Sequence, residues 1–253
     1  FGGLMSNVNV SREGAVGTIQ IHRPEKRNAL TIAMYDEMTA GLASFAGDSA
    51  IRVVVIKGVP GAFTAGNDLG DFMQSPPNGE DSPVFRFLLA LIEFEKPIVA
   101  AVDGAAVGIG TTMLLHCDYV VATTTTKFRM PFVPLGIVPE AASSILLPAL
   151  VGQAKASEWL LLGDVFTGQD AHAAGLVNTI VDAGELDAKV ADIAGKFAEK
   201  PPEAVRLSKK LLRDPMREKV RETLTKEGLI FLERLQAPET MEAMMRFMMK
   251  GKG

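Results

Sequence analysis

Residues 96–110, KPIVAAVDGAAVGIG, decide the fold. The segment starts with an apolar run of strand length, passes through a glycine-rich turn and then opens a helix. An earlier stretch has a similar order, because the apolar run 51–58 (IRVVVIKG) leads into the glycine-rich turn 58–69 (GVPGAFTAGNDL). Continuous apolar runs predict strands that are buried on both faces. Strands that alternate with helices predict an α/β fold.

The flanking segments extend this α/β pattern. Residues 14–24 predict a strand closed by Pro24, and residues 118–123 (DYVVAT) predict another. Between them, apolar side chains at helical spacing follow Thr31, which we expect to cap the helix. Residues 69–83 are polar and rich in proline and glycine, so they predict a mobile loop.

The last third of the chain carries only helical patterns. From about residue 184 onward these patterns have charged faces, and we expect Arg206, Lys209 and Lys210 to lie on a solvated one. The segment 238–250 has more apolar side chains than a helix with one buried face needs. We therefore expect it to dock on the core or on a neighbouring subunit.

Composition narrows the functional classes. The 253 residues are 47% hydrophobic and 22% charged, which suits one large domain or one domain with a small appendage. The net charge of −4 and the lack of a polybasic run argue against nucleic acid or an anionic membrane as partner. No apolar run approaches the roughly 18 residues of a membrane span. The single cysteine, Cys117, excludes a disulfide within the chain and favours a cytoplasmic protein. Residues 1–4 precede Met5, and we expect them to be an expression remnant.

The two glycine-rich turns are the best candidates for chemistry. Backbone N–H groups at a helix N-terminus lack partners, so two such turns side by side could aim two donors at one oxygen. A dinucleotide fingerprint is absent, because Gly108 and Gly110 are followed by Met113 where a third glycine is needed. We also find no phosphate-binding loop, no metal-ligand spacing and no nucleophile motif.

Four motifs together carry a family resemblance: 22–30 (HRPEKRNAL), 62–72 (AFTAGNDLGDF), 96–110, and 161–178 (LLGDVFTGQDAHAAGLVN). In order and spacing they resemble the crotonase (enoyl-CoA hydratase/isomerase) superfamily. The resemblance implies an α/β spiral of ββα turns over residues 5–183 and a helical trimerisation region over 184–253. It also implies a homotrimer or hexamer that acts on acyl-CoA thioesters. Coenzyme A would then be part of the substrate, with no separate cofactor and no metal.

The same resemblance assigns the residues of an oxyanion hole. It places one donor at the backbone of Asn67 and the other at the backbone of Ile109, where the family usually has glycine. A β-branched residue at that position needs ordinary backbone angles and narrows the pocket. The two glutamates of a hydratase would stand at Thr112 and Phe132, and neither residue can carry a proton near neutral pH.

Glu140 is the carboxylate that this reasoning leaves for catalysis. By itself it could be a first-turn acid of the helix that follows, or a base. The run 131–144 is similar to the Δ3,Δ2-enoyl-CoA isomerase branch, which implies that Glu140 is the sole acid/base in a step of fatty acid β-oxidation. Two alternatives stay open, namely another enolate reaction on a CoA thioester and a catalytically silent acyl-CoA-binding protein.

Binding residues follow from the resemblance as well. It places Arg27 and Ala29 along the nucleotide, and Ala65 and Leu69 beside the adenine and pantetheine. Asp68 lies within this binding segment, although its type and position also fit a residue that caps a turn. Asp71 is a weaker candidate acid. Four further residues fit either the wall of an acyl pocket or the core: Phe63, Phe72, Phe85 and Leu88.

Overall fold

Strands and helices alternate along the chain, as the sequence predicts. A computed structural model describes residues 6–74 and 79–250, so predictions about residues 1–5, 75–78 and 251–253 lie outside the described residues. Within those ranges the strands are β1 (Val8–Glu13), β2 (Val16–Ile21), β3 (Val53–Lys57), β4 (Ala62–Thr64), β5 (Ile98–Val102), β6 (Ala105–Val107), β7 (Tyr119–Thr123), β8 (Lys127–Arg129), β9 (Phe166–Thr167) and β10 (Thr179–Val181). The helices are α1 (Ile32–Gly47), α2 (Leu69–Gln74), α3 (Pro83–Glu93), α4 (Ile109–Thr112), α5 (Ser143–Val151), α6 (Gln153–Ser157), α7 (Gly168–Ala173), α8 (Leu186–Ala198), α9 (Pro202–Leu235) and α10 (Pro238–Lys250).

The strands form two sheets. The larger has the order β1-β2-β3-β5-β7-β10 and the smaller has the order β4-β6-β8-β9. Each turn of the spiral contributes one strand to the large sheet and the next strand to the small sheet. The three turns contain the strand pairs β3–β4, β5–β6 and β7–β8. In both sheets, the strands of successive turns pair in parallel. Helical segments follow each pair. The predicted spiral of ββα turns is therefore confirmed.

The central strands are buried on both faces, as their continuous apolar sequences predict. Along β3, Val54 and Ile56 join the main hydrophobic core, whereas Val53 and Val55 belong to a second cluster on the opposite face. Residues of β5 alternate between the same two clusters. Helix α8 covers the second cluster with Val190, Ile193 and Ala194. Because both faces are covered, the strands need no polar side chains.

The prediction of a loop over residues 69–83 is wrong in part. Residues 69–74 form α2, a short 3-10 turn follows at Gly79–Asp81, and α3 begins at Pro83. The Asp68 carboxylate accepts hydrogen bonds from the backbone N–H groups of Gly70 and Asp71, and Phe72 is buried against the core. A capping acid and one buried aromatic ring therefore suffice for a helix in a stretch rich in proline and glycine.

Lys209 is not on a solvated helix face, contrary to the prediction. Its side chain is only 10% exposed, and its Nζ lies 2.7 Å from the Asp118 carboxylate and 2.7 Å from the Lys96 carbonyl oxygen. The pKa of Lys209 is lowered, chiefly by burial. Arg213 pairs with the same carboxylate at 3.1 Å. This ion-pair cluster fastens α9 to the start of β7.

One face of α10 docks on the core, which confirms half of the expectation for that helix. Ala243 and Met244 are buried, whereas Met241 and Met245 are about half exposed. The carbonyl oxygen of Gly136 accepts hydrogen bonds from Thr240 Oγ1 at 2.8 Å and from Arg234 Nε at 3.0 Å. The C-terminal helices are thus tied to the loop that precedes Glu140. No helix in the described ranges is long and apolar enough to span a membrane.

Candidate active site

The two glycine-rich loops lie against each other. Strands β4 and β6, which precede them, are neighbours in the small sheet. Gly66 has a φ of 87°, and a Cβ atom at that position would lie 2.8 Å from the carbonyl oxygen of Val107. Only glycine combines this backbone conformation with so close an approach. The sequence therefore brings the segment 65–68 next to the segment 107–109.

Two backbone N–H groups at this junction have no acceptor among the described residues: those of Asn67 and Ile109. In the first loop the neighbouring groups are occupied, because Asp68 donates to the Leu30 carbonyl and Leu30 donates to the Gly66 carbonyl, both at 2.8 Å. Ile109 is the first residue of α4, whose starting N–H groups have no partner within the helix. Both residues line one cavity.

Ile109 does not distort the second loop. Its φ is not positive, so it has ordinary angles, whereas Gly108 before it takes φ 56° and ψ −119°. The glycine provides the unusual turn, and the Ile109 side chain packs in the main core at 2% exposure. The departure from the usual glycine therefore costs no backbone strain at residue 109.

Glu140 lies in a turn that precedes α5. The helix begins at Ser143, so the interpretation of Glu140 as a first-turn acid is wrong. Ala141 and Ala142 both adopt the left-handed conformation, with φ of 61° and 56°. These two residues stand between Glu140 and the first residue of α5. The half-buried side chain of Glu140 lies in the wall of a cavity. Asn67 lines the same cavity.

The surroundings of Glu140 favour its protonated form in the free protein. Burial raises its pKa to about 8, and the carboxylate of Glu227 adds to the rise. The hydroxyl of Thr112 donates a hydrogen bond of 2.5 Å to Glu140 Oε1 and works in the opposite direction, because it stabilises the ionised form. A carboxylate with a pKa near neutrality can both accept and return a proton.

The two positions predicted for hydratase glutamates hold a hydroxyl and a phenyl ring. Thr112 is fully buried, and its hydroxyl donates a hydrogen bond to Glu140. The sequence did not indicate this contact. Phe132 is 5% exposed and lines the cavity that contains Asn67 and Ile109. The site therefore has an apolar wall where a second acid would stand.

Three of the four predicted pocket residues line the Glu140 cavity: Phe72, Phe85 and Leu88. The fourth, Phe63, is fully buried in the core and is not among the lining residues. Helix α9 completes the wall with Leu224, Leu229, Phe231 and Leu232. This cavity shares Asn67, Phe72 and Phe231 with the cavity at Ile109, so the two are adjoining parts of one site.

Residues predicted to bind CoA lie on one surface beside this site. The backbone N–H of Ala65 donates to the Arg27 carbonyl at 3.0 Å, which brings Arg27 and Ala29 next to the first glycine-rich loop. Arg27 is exposed, Ala29 and Ala65 are partly exposed, and Leu69 lines the Ile109 cavity.

Asp68 and Asp71 have structural contacts. The Arg23 guanidinium lies 2.7 Å from the Asp68 carboxylate, and this hydrogen bond holds the pKa of Asp68 below its usual range. Asp68 also caps α2, which favours the structural interpretation of this residue. Asp71 Oδ2 accepts a hydrogen bond of 2.7 Å from the first N–H group of α1, at Ile32. That contact gives Asp71 a capping role and argues against it as a second acid.

Three buried polar residues around the site are absent from the sequence-based predictions. The Tyr35 hydroxyl donates to Asn67 Oδ1 and so holds the first loop from the side of α1. The Asn28 amide donates to the carbonyl oxygens of Ile21, Ala62 and Phe63. Glu227 accepts from backbone N–H groups at the start of α5. Tyr35 could have been found from the sequence, because it is a polar residue on the predicted buried face of α1. Glu227 could not, because the sequence of α9 around it is rich in charged residues.

Comparisons with known proteins point to one family. A family model described as enoyl-CoA hydratase/isomerase matches residues 11–253. Enoyl-CoA delta isomerase 2 of Rattus norvegicus is 34% identical over 94% of this chain, which spans 62% of the relative's length. The 2,3-dehydroadipyl-CoA hydratase of Escherichia coli (strain K12) is 32% identical over 97% of both chains. The solved structure of Pseudomonas aeruginosa OdaA is 46% identical, with a TM-score of 0.93 over 96% of this chain and 98% of the other.

Proposed function

Because this chain belongs to the enoyl-CoA hydratase/isomerase family, we propose that it converts 3-enoyl-CoA thioesters into conjugated 2-enoyl-CoA thioesters, with Glu140 as its single acid/base. The observation that carries the proposal is the position of Glu140 in the wall of the cavity that also contains Asn67. Glu140 is a half-buried carboxylate beside Asn67. The family resemblance assigns the two glutamate positions of a hydratase to Thr112 and Phe132, which hold a hydroxyl and a phenyl ring. The likeness to enoyl-CoA delta isomerase 2 supports the same reaction.

The reaction starts with the thioester oxygen in the hole formed by the backbone N–H groups of Asn67 and Ile109. Glu140 takes a proton from C2, and the electron pair of that C–H bond spreads onto the thioester oxygen as an enolate. The two N–H donors stabilise this negative charge in a largely apolar site. Glu140 then returns the proton to C4, while the double bond moves from C3–C4 to C2–C3. No atom is gained or lost.

Thr112 and Phe132 suit this single-base chemistry. The Thr112 hydroxyl engages Oε1 of Glu140 and leaves Oε2 free to accept the substrate proton. In this proposal Phe132 presents carbon atoms where the family resemblance places the second carboxylate of a hydratase, so addition of water across the double bond lacks the two-carboxylate arrangement. The match to a hydratase from Escherichia coli is attributed in this proposal to the shared family.

The surface beside the first glycine-rich loop is our proposed site for coenzyme A. Arg27, Ala29, Ala65 and Leu69 lie there, and the exposed Arg27 is suited to a phosphate. Asp68 is a positioning residue in this proposal, because Arg23 and the start of α2 occupy both of its oxygens. Phe72, Phe85 and Leu88 would then contact the acyl chain.

The decisive experiment replaces Glu140 by glutamine and follows formation of the conjugated thioester from 3-hexenoyl-CoA. We expect kcat to fall at least about a hundredfold, because an amide cannot shuttle the proton. Glu233→Gln is the matched control, because Glu233 is an exposed carboxylate on α9 and does not line the cavity. We expect this control to keep kcat within about twofold of wild type.

A Glu140→Gln variant with wild-type kcat would refute the assignment. If the wild-type protein is thermally stabilised by acyl-CoA thioesters and turns none of them over, the chain is a binder instead of an enzyme. Conversion of a 2-enoyl-CoA into a 3-hydroxyacyl-CoA, without conjugation of 3-hexenoyl-CoA, would restore the hydratase interpretation.

We also propose a homotrimer or hexamer for this chain. Several large apolar side chains are more than half exposed, which is costly for a free monomer: Leu161, Leu162, Val165, Leu211, Leu212 and Leu229. We expect analytical ultracentrifugation to give a mass of three or six chains, and a single 27.0 kDa species would contradict the proposal.

A further inference from the structure

Glu227 is a buried carboxylate that the reaction described above does not use. It lies on α9 with 6% of its surface exposed, and it is not among the residues that line the Glu140 cavity. Its Oε2 accepts a hydrogen bond of 2.7 Å from the N–H of Ala142, and its Oε1 accepts one of 2.9 Å from the N–H of Ser144. One side chain therefore bridges two backbone donors at the start of α5.

The start of α5 needs such a partner. Its N-cap residue, Ala142, has no side-chain oxygen that could accept from the helix N–H groups. Ala141 and Ala142 are both left-handed, a conformation that residues with a Cβ atom adopt only when their surroundings impose it. The carbonyl of Ala141 lies 2.8 Å from His116 Nε2 on the other side of the turn. Glu227 and His116 thus hold the two left-handed residues that directly follow Glu140.

We propose that Glu227 is a positioning residue for Glu140: its two hydrogen bonds fix the turn that carries the base, and its negative charge lies behind that base. The inference rests on the proposed isomerase function. Glu227 acts through Glu140 and not on the substrate, because it has no place in the cavity wall.

The effect of the Glu227 charge on the pKa of Glu140 distinguishes the positioning role from simple capping of α5. Burial and then the charge of Glu227 raise the pKa of Glu140, while the Thr112 hydrogen bond lowers it. Burial raises the pKa of Glu227 to about 7, whereas its two backbone hydrogen bonds lower it. Both carboxylate oxygens accept from N–H donors, which is the arrangement of an ionised carboxylate. The described residues place no lysine or arginine in an ion pair with Glu227.

Three other titratable groups lie near this pair, and one of them, Glu80, is an exposed carboxylate at the Glu140 cavity that accepts a hydrogen bond from Thr225. The other two are uncharged near neutral pH. Tyr35 on α1 has its pKa raised by burial, and His116 after α4 has its pKa lowered to about 4 by burial. Among the described residues, the charge of Glu227 therefore acts on Glu140 without a paired cation between them.

The test is the pH dependence of kcat/KM in Glu227→Gln and Glu227→Asp. The glutamine variant keeps the size of the side chain and one acceptor oxygen but removes the charge. We expect its activity midpoint to move to lower pH by at least about half a unit, because the ionised form of Glu140 is no longer opposed. The plateau rate should fall by about tenfold, because the turn loses one of its two hydrogen bonds.

Glu227→Asp separates the two contributions. Aspartate keeps the charge but is one methylene shorter, so we expect a lower plateau rate without a downward move of the midpoint. Glu233→Gln is the matched control, since Glu233 is an exposed carboxylate on the same helix, and its profile should match wild type. A Glu227→Gln profile with the wild-type midpoint would overturn the proposal, whatever the plateau.

A second measurement does not depend on turnover. The carboxyl carbon resonance of Glu140, identified by its loss in Glu140→Gln, can be titrated by NMR in wild type and in Glu227→Gln. We expect the Glu140 midpoint to be lower in the variant, and equal midpoints would overturn the proposal. If Glu140→Gln stays fully active, the isomerase mechanism fails, but this titration still decides whether Glu227 acts on Glu140.

Discussion

Replacement of Thr112 by valine removes a hydroxyl and keeps the shape of the side chain. Thr112 Oγ1 donates to Glu140 Oε1 at 2.5 Å, and its alternative acceptor, the Gly108 carbonyl, is 3.4 Å away. A hydrogen bond to a charged group contributes about 1.5–3 kcal/mol. Because Glu140 is half-buried, we take the lower end of that range. One pKa unit corresponds to about 1.4 kcal/mol, so the pKa of Glu140 should rise from about 8 to about 9.

The sign of the effect on activity follows from the role of Glu140. The base must be ionised to accept the C2 proton, so activity rises with pH through the pKa of Glu140. A higher pKa moves the whole curve to higher pH. Well below the midpoint, kcat/KM of Thr112→Val should be about tenfold lower than that of wild type, while the two plateaus at high pH should differ much less.

The assay is the initial rate of conjugation of 3-hexenoyl-CoA, measured from about pH 6 to pH 10. Thr112→Ser should restore the wild-type midpoint because it keeps the hydroxyl. Thr111→Val is the control: Thr111 is also buried, but its hydroxyl donates to the Ala106 carbonyl at 2.7 Å. An unchanged or lower midpoint in Thr112→Val would refute the reasoning, as would an equal shift in Thr111→Val.

Two further predictions concern the loops and the pocket. Gly66→Ala should lower kcat at least about tenfold and destabilise the fold by roughly 1–3 kcal/mol, because the new Cβ would lie 2.8 Å from the Val107 oxygen at a φ of 87°. Thermal melts and rates would check this, and a fully active, stable variant would show that the loops need not touch. A 3-enoyl-CoA with a terminal carboxylate should have a kcat/KM at least about tenfold below that of 3-hexenoyl-CoA, because Phe72, Phe85 and Leu88 offer it no cation and Glu80 repels it. Equal kcat/KM values would contradict that description of the pocket.

Local sequence patterns were sufficient for most of the fold. The apolar runs at β3, β5 and β7 predicted strands buried on both faces, and the main core and α8 cover those faces. The same patterns failed where a contact partner is distant in the chain. Lys209 looked solvated because Asp118 is 91 residues away, and α2 was missed because its stability depends on one capping carboxylate and one buried ring.

In the candidate site, too, local features could be predicted from the sequence and contacts between distant residues could not. The glycine-rich turns and the lone Glu140 are visible in the sequence, because each is a local departure from its surroundings. The contacts that adjust Glu140 are not visible. Thr112 is 28 residues from Glu140, and Glu227 is 85 residues from Ala142. No periodicity or motif connects residues that only the packing of α9 and α4 brings together.

Helix α9 has a consequence for how such an enzyme could change its substrate. The N–H donors and Glu140 come from residues 67–140, whereas Leu224, Leu229, Phe231 and Leu232 belong to a helix encoded far downstream. Substitutions confined to these four positions can therefore reshape the acyl pocket, provided that Glu227 on the same helix keeps its contacts with the start of α5. Variants that exchange only these four side chains offer a direct way to change chain-length preference.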